Sequence, residues 1–470
     1  MCDGKRLNRR VIQPEVGDRM YETTTDFHTW FKNSTALMKS ETKIVPVTDL
    51  TGWSINTDTG YIRHTTGRFF TIKGLEVTHA AKAPRSWHQP IIDQPEEGIL
   101  GLLVRRLKGE VYCLMQVKSE PGNINAFQLS PTVQATKSNY SRAHGGRSVP
   151  LLEHFHEPRE GKVLYDSLQS EQASWFLAKK NRNLILEIDS NIAIPPNFCW
   201  LSLRQVSELL KVPNLINMDT RTVLSGLVPT YLAQDHDDES EFRNMIAHSS
   251  SVIDGPICTR THLISWFTEE TIRSNLSRKL RSLKGMQSWL WTDTKITHQN
   301  GRHFDIIGVE ASISGREVDY WHQPMLKPRS KGLVAFLCKP IHGVLCFLVQ
   351  AREETGALNK LEMAPTLQCQ PANYLDESLQ SPMFLNVVES ASPSSIRFDT
   401  RLSEEGGRFY HAESRYMLVE VEDDFPNDVP KEFKWMTLGQ LIEFSQFSNH
   451  LNIEARCLLA LTGFYKGDKL

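Results

Sequence analysis

Apolar residues fall into two rhythms along this chain. From Gly98 a run of Ile99, Leu100, Leu102, Leu103 and Val104 gives way to alternation at Val111, Cys113, Met115 and Val117. A short continuous run and a period of two both describe strands. Lys108-Gly109 lies between them and predicts a hairpin turn. The same pattern returns with His342-Gly343 as the turn, and Leu184–Ile188 and Tyr416–Val421 read as further strands. The period lengthens at Trp200–Lys211 and Trp435–Phe447, two amphipathic helices that are each followed by a second helix. A longer helix is predicted from Thr261 to Trp289, opening at Ser265-Trp266-Phe267-Thr268-Glu269-Glu270 and free of proline. Its first-half counterpart is cut short by Val45-Pro46-Val47. The fold class is α+β.

These elements recur because the sequence repeats. Trp87-His88-Gln89-Pro90 returns as Trp321-His322-Gln323-Pro324, and the offset of 234 then holds without a gap. Gly98 matches Gly332, Gln116 matches Gln350, Glu120 and Gly122 match Glu354 and Gly356, and Asn139-Tyr140 matches Asn373-Tyr374. Gly74 matches Gly308 upstream, and Arg221 matches Arg456 downstream with a slightly different offset, as insertions in loops produce. Diverging cores keep hydrophobicity and volume and let polar identity drift. Here Trp, His, Gln, Glu, Asn and Tyr are kept, which favours a site in each copy.

The expected organisation is a first module at 1–233, a polar linker at 234–258 and a second module at 259–470. The linker holds Asp235-His236-Asp237-Asp238-Glu239 and Ser249-Ser250-Ser251, the composition of a solvated connector rather than a metal site. With 53 basic and 55 acidic residues there is no basic stripe to bind nucleic acid. No apolar run reaches the roughly 18 residues of a membrane span. Met1–Arg10 is polar and basic with no apolar stretch behind it, so no secretory signal is read and a cytoplasmic protein is expected. The eight cysteines form no C-x-x-C pair and sit mostly in apolar runs, which suits buried reduced thiols and indicates no zinc site.

Four motifs are candidates for chemistry. In Trp-His-Gln-Pro the tryptophans Trp87 and Trp321 suit a core as well as a site. His88, Gln89, His322 and Gln323 need hydrogen bonds if buried, and their double retention favours ligand contact. The second hairpin strand ends in Gln116-x-Lys118-x-Glu120 and Gln350-x-Arg352-x-Glu354, three side chains on one face. That face is either solvated or suited to a diphosphate and sugar. Pro131-Thr132-Val133-Gln134 with Asn139-Tyr140, and Thr366 and Gln368 with Asn373-Tyr374, form a polar loop of the kind that contacts ligands. Ser403-Glu404-Glu405-Gly406-Gly407-Arg408-Phe409-Tyr410 pairs two carboxylates with an arginine, and its glycines allow close backbone approach. The first copy reads Ser170-Glu171-Gln172-Ala173-Ser174-Trp175-Phe176, with one carboxylate, both glycines and the arginine gone. If one copy alone is catalytic, this favours the second.

Together these motifs resemble the NDP-hexose 2,3-dehydratases of deoxysugar biosynthesis. The ordered set in both halves carries the match, from about residue 27 to about residue 465. The resemblance implies a duplicated Nudix-like fold, a homodimer and a nucleotide-sugar site in each module. It implies dTDP-4-keto-6-deoxyglucose as substrate, no redox cofactor, no metal, and a downstream 3-ketoreductase that takes up an unstable product. Under it, Glu404 or Glu405 is the general base or acid, with His322 and Tyr374 as rivals. Arg352 and Arg408 hold the diphosphate, and Trp321 or Trp87 stacks on thymine or lines the sugar. The first copy departs from the family at Ala173-Ser174-Trp175, which puts its turnover in question. Two alternatives stand beside this: a non-catalytic nucleotide-sugar-binding protein, and a Nudix-type diphosphatase, whose metal-binding carboxylate helix is not visible in the sequence.

Overall fold

The two halves exchange strands. Ser40–Val45 of the first half pairs antiparallel with Phe304–Ile313 of the second, Val45 opposite Gly308. Leu276–Arg281 of the second half pairs antiparallel with Thr71–His79 of the first, Arg281 opposite Gly74. The matched glycines explain themselves here. A Cβ on Gly74 would lie 2.7 Å from the Arg281 carbonyl oxygen, and one on Gly308 2.7 Å from that of Val45. Each glycine is where the exchanged strand crowds its host.

The computed structural model describes residues 19–21, 23–80, 85–140, 145–157, 160–233, 240–375 and 379–465. Among these, two seven-stranded and two five-stranded sheets form. One large sheet runs Lys162–Ser170, Lys180–Glu187, Gly98–Leu107, Glu110–Ser119, Phe198–Ser202, with Phe127–Ser130 and Val133–Ala135 paired along it. Lys180–Glu187 runs parallel to Gly98–Leu107, and the other neighbours in the sheet are antiparallel. The second half repeats this, with Glu413–Glu420 parallel to Gly332–Ile341. The predicted hairpin turns are present: Lys108 and Gly109 take φ of 51° and 87°, His342 and Gly343 48° and 80°. Two successive positive φ values match the twist of the strands they join.

The helices Met218–Leu224 and Ile453–Gly463 lie between the large sheets, and one apolar core runs through both halves. Leu102, Val104 and Met115 share it with Phe336, Phe347 and Met436. The fully buried Arg221 and Arg456 cross the same boundary. Arg221 donates to the Ser403 carbonyl at 2.6 Å, and Arg456 to that of Ser170 at 2.6 Å. Each half therefore grips the backbone just before the other half's acidic motif.

Three sequence expectations change. The helix predicted over Thr261–Trp289 spans Arg260–Arg273 and stops at Ser274. Leu276–Arg281 becomes the exchanged strand and Trp289 starts another, because pairing with Thr71–His79 outweighs local helix preference. The predicted helices at Trp200 and Trp435 each begin as strands, Phe198–Ser202 and Phe433–Thr437, with the helices starting at Leu203 and Leu438. Their caps Ser202 and Thr437 both form capping boxes with a glutamine three residues on. The linker is not solvated throughout. Glu241–Ser251 is a helix that buries Phe242 and Ile246, while the acidic run 235–239 lies outside the described residues. Cys2 also lies outside them; Cys113, Cys199, Cys258, Cys338, Cys346 and Cys457 are buried and free, and Cys369 is half-buried and free. Among the described residues no helix is long and apolar enough to cross a membrane.

Candidate functional site

Strand exchange carries the acidic motif of each half onto the strand end of the other. The turn after Glu120 meets the second-half loop: Gly122 N–H donates to the Gly406 carbonyl at 2.8 Å, and His411 N–H to that of Gly122 at 2.9 Å. The reciprocal pair is Gly356 N–H to the Ala173 carbonyl, 2.6 Å. A site contained within one module, as the sequence led us to expect, is thus replaced by sites shared between modules. The first of these surrounds a cavity of about 500 Å³. From the first half come Lys118, Glu120, Gln134, Asn139, Glu171 and Asp219. The second half supplies Arg316, Trp321, His322, Gln323, Glu405 and Arg408. Trp53, His64, Phe69 and Phe70 form an aromatic wall, with Trp53 and Phe70 ring centres 4.8 Å apart.

The Trp-His-Gln-Pro motif explains its own retention. Trp321 Nε1 donates to Gln323 Oε1 at 2.9 Å, and Gln323 Nε2 to the Gly407 carbonyl at 2.6 Å. The first copy repeats this relay from Trp87 through Gln89, at 3.0 Å, to the Ser174 carbonyl, at 2.9 Å. Trp53 Nε1 donates to the His322 carbonyl at 2.6 Å, and Trp289 Nε1 to that of His88 at 2.7 Å. His88 Nδ1 also accepts from Gln287 N–H at 3.0 Å. The motif ties the acidic loop of its own half to the segment that follows the exchanged strand of the other half, so its polar residues persist for positioning as well as for any ligand. His322 lines the cavity, its Nε2 2.9 Å from the Tyr320 hydroxyl.

The cavity concentrates carboxylates. Glu120, Asp219 and Glu405 each place an oxygen within 4.8 Å of the others. Glu120 accepts from Gln134 Nε2 at 3.0 Å and lies 3.6 Å from Arg316. Glu405 accepts from Gly407 N–H at 2.8 Å through Oε1, while its buried Oε2 has no hydrogen-bond partner. Burial first, then Glu120, pushes the Glu405 carboxyl up to about 8, against the pull of Arg408. Asp219 is held well above the usual carboxylate range by burial and by Glu171, Glu405 and Glu120. Lys118 donates to the Gln134 carbonyl at 2.9 Å, and burial lowers its proton affinity. Arg408 lies 4.3 Å over the Phe70 ring and donates to Gln94 at 3.2 Å. Three carboxylates this close could also take up a divalent cation. Lys118, Arg316 and Arg408 already surround them with positive charge.

Other predicted residues lie elsewhere. Glu404 is buried behind the loop, 3.3 Å from Gln172 Nε2 and 3.4 Å from the Tyr416 hydroxyl. Gly406 packs against Asn123. Thr132 and Thr366 are buried staples: Thr132 donates to the Leu114 carbonyl at 2.6 Å and accepts from Leu103 N–H at 2.9 Å, and Thr366 repeats this with Leu348 and Leu337. Their double retention is a property of the sheet. Gln116 faces a smaller neighbouring cavity, and Tyr140 packs against His156. Gln350, Arg352, Glu354, Gln368, Asn373 and Tyr374 belong to the reciprocal strand end and are not among the residues lining the 500 Å³ cavity. There Arg352 pairs with Glu354 at 2.6 Å, Gln368 accepts from Asn452 at 2.8 Å, and Asn373 contacts His303. Gln172 stands where the first site has Glu405, and Trp175 where it has Arg408, its ring 4.5 Å from Phe409. Arg352 and Arg408 therefore serve different sites.

Asp219, Glu171, Lys179 and Arg316 were not singled out as site residues from the sequence. Asp219 had a signal: it pairs with Glu454 at the same offset of 235 as Arg221 with Arg456. Glu171 read as what remained of a degraded motif, yet it lines this cavity beside Lys179 and Asn181 of its own half.

The model of the NDP-hexose 2,3-dehydratase family matches residues 24–227 and again 260–462. A dTDP-4-dehydro-6-deoxy-alpha-D-glucopyranose 2,3-dehydratase of Saccharopolyspora spinosa is 45% identical over 443 residues, 93% of this chain and 90% of that protein. Enzymes of the same name from Streptomyces violaceoruber and Amycolatopsis orientalis are 44% and 38% identical, covering 93% and 96% of this chain and 96% and 93% of their own lengths. With both halves matched and relatives aligned almost end to end, the chain belongs to the NDP-hexose 2,3-dehydratase family.

Proposed function

We propose that the protein eliminates water across C2–C3 of dTDP-4-keto-6-deoxyglucose, giving a 3,4-diketo-2,6-dideoxy sugar nucleotide. The observation that carries this is the near full-length kinship with three 2,3-dehydratases named for the same 4-keto (4-dehydro) sugar. The cavity suits the chemistry. The C4 ketone acidifies the C3 proton, and Glu405, with one free carboxylate oxygen, is placed to remove it. Lys118 retains donors to steady the charge that develops on the C4 oxygen. Arg408 and Arg316 offer guanidinium groups to the diphosphate, and the Trp53–Phe70 wall and Trp321 offer apolar faces to the thymine. None of these steps calls on a redox cofactor.

The finer parts of the reading go further: a Nudix-like core in each module, a homodimer and a 3-ketoreductase that consumes the reactive diketone rest on the family resemblance, and a cytoplasmic setting rests on the sequence. The two-module division at 1–233 and 259–470 belongs with them; the family match to each half supports it. The test is incubation with dTDP-4-keto-6-deoxyglucose without added metal, with and without a 3-ketoreductase and its nicotinamide cofactor, followed by mass spectrometry. Loss of one water, trapped as a reduced 2,6-dideoxy product, is expected. Tight binding without turnover would favour a binding protein, and release of dTMP a diphosphatase.

A further inference from the structure

Elimination moves two protons. A base takes the C3 proton, and the C2 hydroxyl must leave as water, so an acid must deliver a proton to it. Several carboxyls of the cavity are already engaged. Glu120 is held by Gln134 and Arg316, and Glu171 accepts from Asn181 at 2.6 Å. Glu404 is turned away toward Tyr416.

Asp219 differs. It is 4% exposed, lines the cavity, and among the described residues no hydrogen bond ties its carboxyl. Its backbone is fixed nonetheless. Asn217 caps the helix through Thr220 N–H at 2.9 Å and donates to Gln134 at 3.0 Å, which holds the first helical residues against the cavity. Its carboxylate oxygen lies within 4.8 Å of those of Glu405 and Glu120. Three buried carboxyls at this spacing cannot all be ionised, so the cluster keeps a proton. Burial and the three neighbouring glutamates favour that proton on Asp219, with Lys118 opposing. In the reciprocal site Glu454 keeps the equivalent carboxyl while Gln172 replaces Glu405.

We propose that Asp219 is the general acid that protonates the departing C2 hydroxyl, paired with Glu405 as the base. This rests on the dehydratase reading. The C3–H bond breaks with its proton going to Glu405, and its electron pair forms the C3–C4 double bond of an enolate. The enolate then re-forms the C4 ketone as the C2–O bond breaks, leaving a C2–C3 double bond. The oxygen departs with the Asp219 proton as water. Glu405 ends protonated and Asp219 ionised, and a proton passing between them restores both. The resulting 3-hydroxy enone becomes the 3,4-diketone by losing its hydroxyl proton and gaining one at C2.

The test separates the two proton transfers. Substrate is incubated in D2O, and deuterium at C3 of recovered substrate is followed beside water loss. Asp219→Asn should lower water loss by about 100-fold or more while exchange at C3 continues and accumulates. Glu405→Gln should abolish both, and dTDP should bind each variant as it binds the parent. Water loss within about threefold of the parent in Asp219→Asn, or equal loss of exchange and elimination, overturns the proposal. If Asp219→Asn does not fold, Asp219→Glu carries the acid one methylene further, and an unchanged ratio of exchange to elimination overturns it equally. A parent protein that neither exchanges nor eliminates would instead overturn the dehydratase reading.

Discussion

A Cβ placed on Gly406 would lie 2.1 Å from the side-chain oxygen of Asn123, a residue of the other half. In the reciprocal contact the corresponding residues are Ala173 and Ala357. The glycine is required by its partner, since an alanine is accommodated where the partner is also alanine. Gly406→Ala should therefore destabilise the fold by roughly 1–3 kcal/mol through overpacking. Adding Asn123→Ala should restore most of that loss. Chemical denaturation of both single variants and the double variant measures the coupling, and simple additivity would contradict the contact.

Gln323 and Gln89 make the same relay, but only Gln323 steadies the loop that bears Glu405. Replacing either with methionine keeps volume and leaves a tryptophan N–H and a backbone carbonyl without their partner, costing about 1–3 kcal/mol in each case. The kinetic effects should diverge. Gln323→Met should lower kcat by about tenfold or more, because a small displacement of a catalytic group is costly. Gln89→Met should leave kcat nearly intact. Equal kinetic losses would mean that the Ser174 loop also shapes the chemistry.

The large sheets were legible in the sequence because period-two alternation, hairpin turn residues and the 234-residue offset all agree there. The exchanged strand Leu276–Arg281 was not. It is mostly exposed, its Lys and Arg suit a helix, and its pairing partner lies some two hundred residues away. That one misreading had consequences for the site. Without exchange, matched motifs look like two self-contained sites; with it, Glu405 belongs with Lys118 and Glu120 instead of Arg352 and Glu354. Retention in both copies also proved to have two causes that sequence cannot separate. Thr132 and Gln323 are equally repeated, yet the first only staples a sheet.

Glu362 and Gln128 are equivalent residues under opposite rules of charge. Each bonds a serine of the other half: Glu362 accepts from Ser170 at 2.9 Å, and Gln128 donates to Ser403 at 2.8 Å. Burial pushes the Glu362 carboxyl up to about 8 from its ordinary 4.5. A raised folded-state value means the folded protein holds a proton that the unfolded chain releases, so this contribution is complete below about 4.5 and is lost as pH rises through about 8. Glu362→Gln should remove that loss. The variant should gain on the parent between pH 5 and 8, by on the order of 3 kcal/mol near neutrality, with turnover unchanged. Urea denaturation across pH reads the difference, and parallel stability profiles would place the charge effect elsewhere.

The same physics acts on Glu405, but there it should govern the rate. The groups facing it are Glu120, Glu171, Asp219, Lys179 and Arg408, together with the Gly407 N–H. As the base it must be ionised, so with its carboxyl near 8 in the free protein, kcat/KM should climb about tenfold per pH unit below that value and fall again at higher pH once Asp219 loses the proton it must donate. The limb belongs to the coupled cluster, not to one group alone. Its position is therefore adjustable from outside Glu405. Glu171 raises the Glu405 carboxyl, and so Glu171→Gln should move the limb toward lower pH. Arg408 lowers it, and loss of that guanidinium should move the limb the other way, together with weaker binding of the nucleotide. Opposite displacements from Glu171→Gln and Arg408→Gln in the kcat/KM profile are the expected outcome. A limb that stays in place in both would show that another group carries the ionisation.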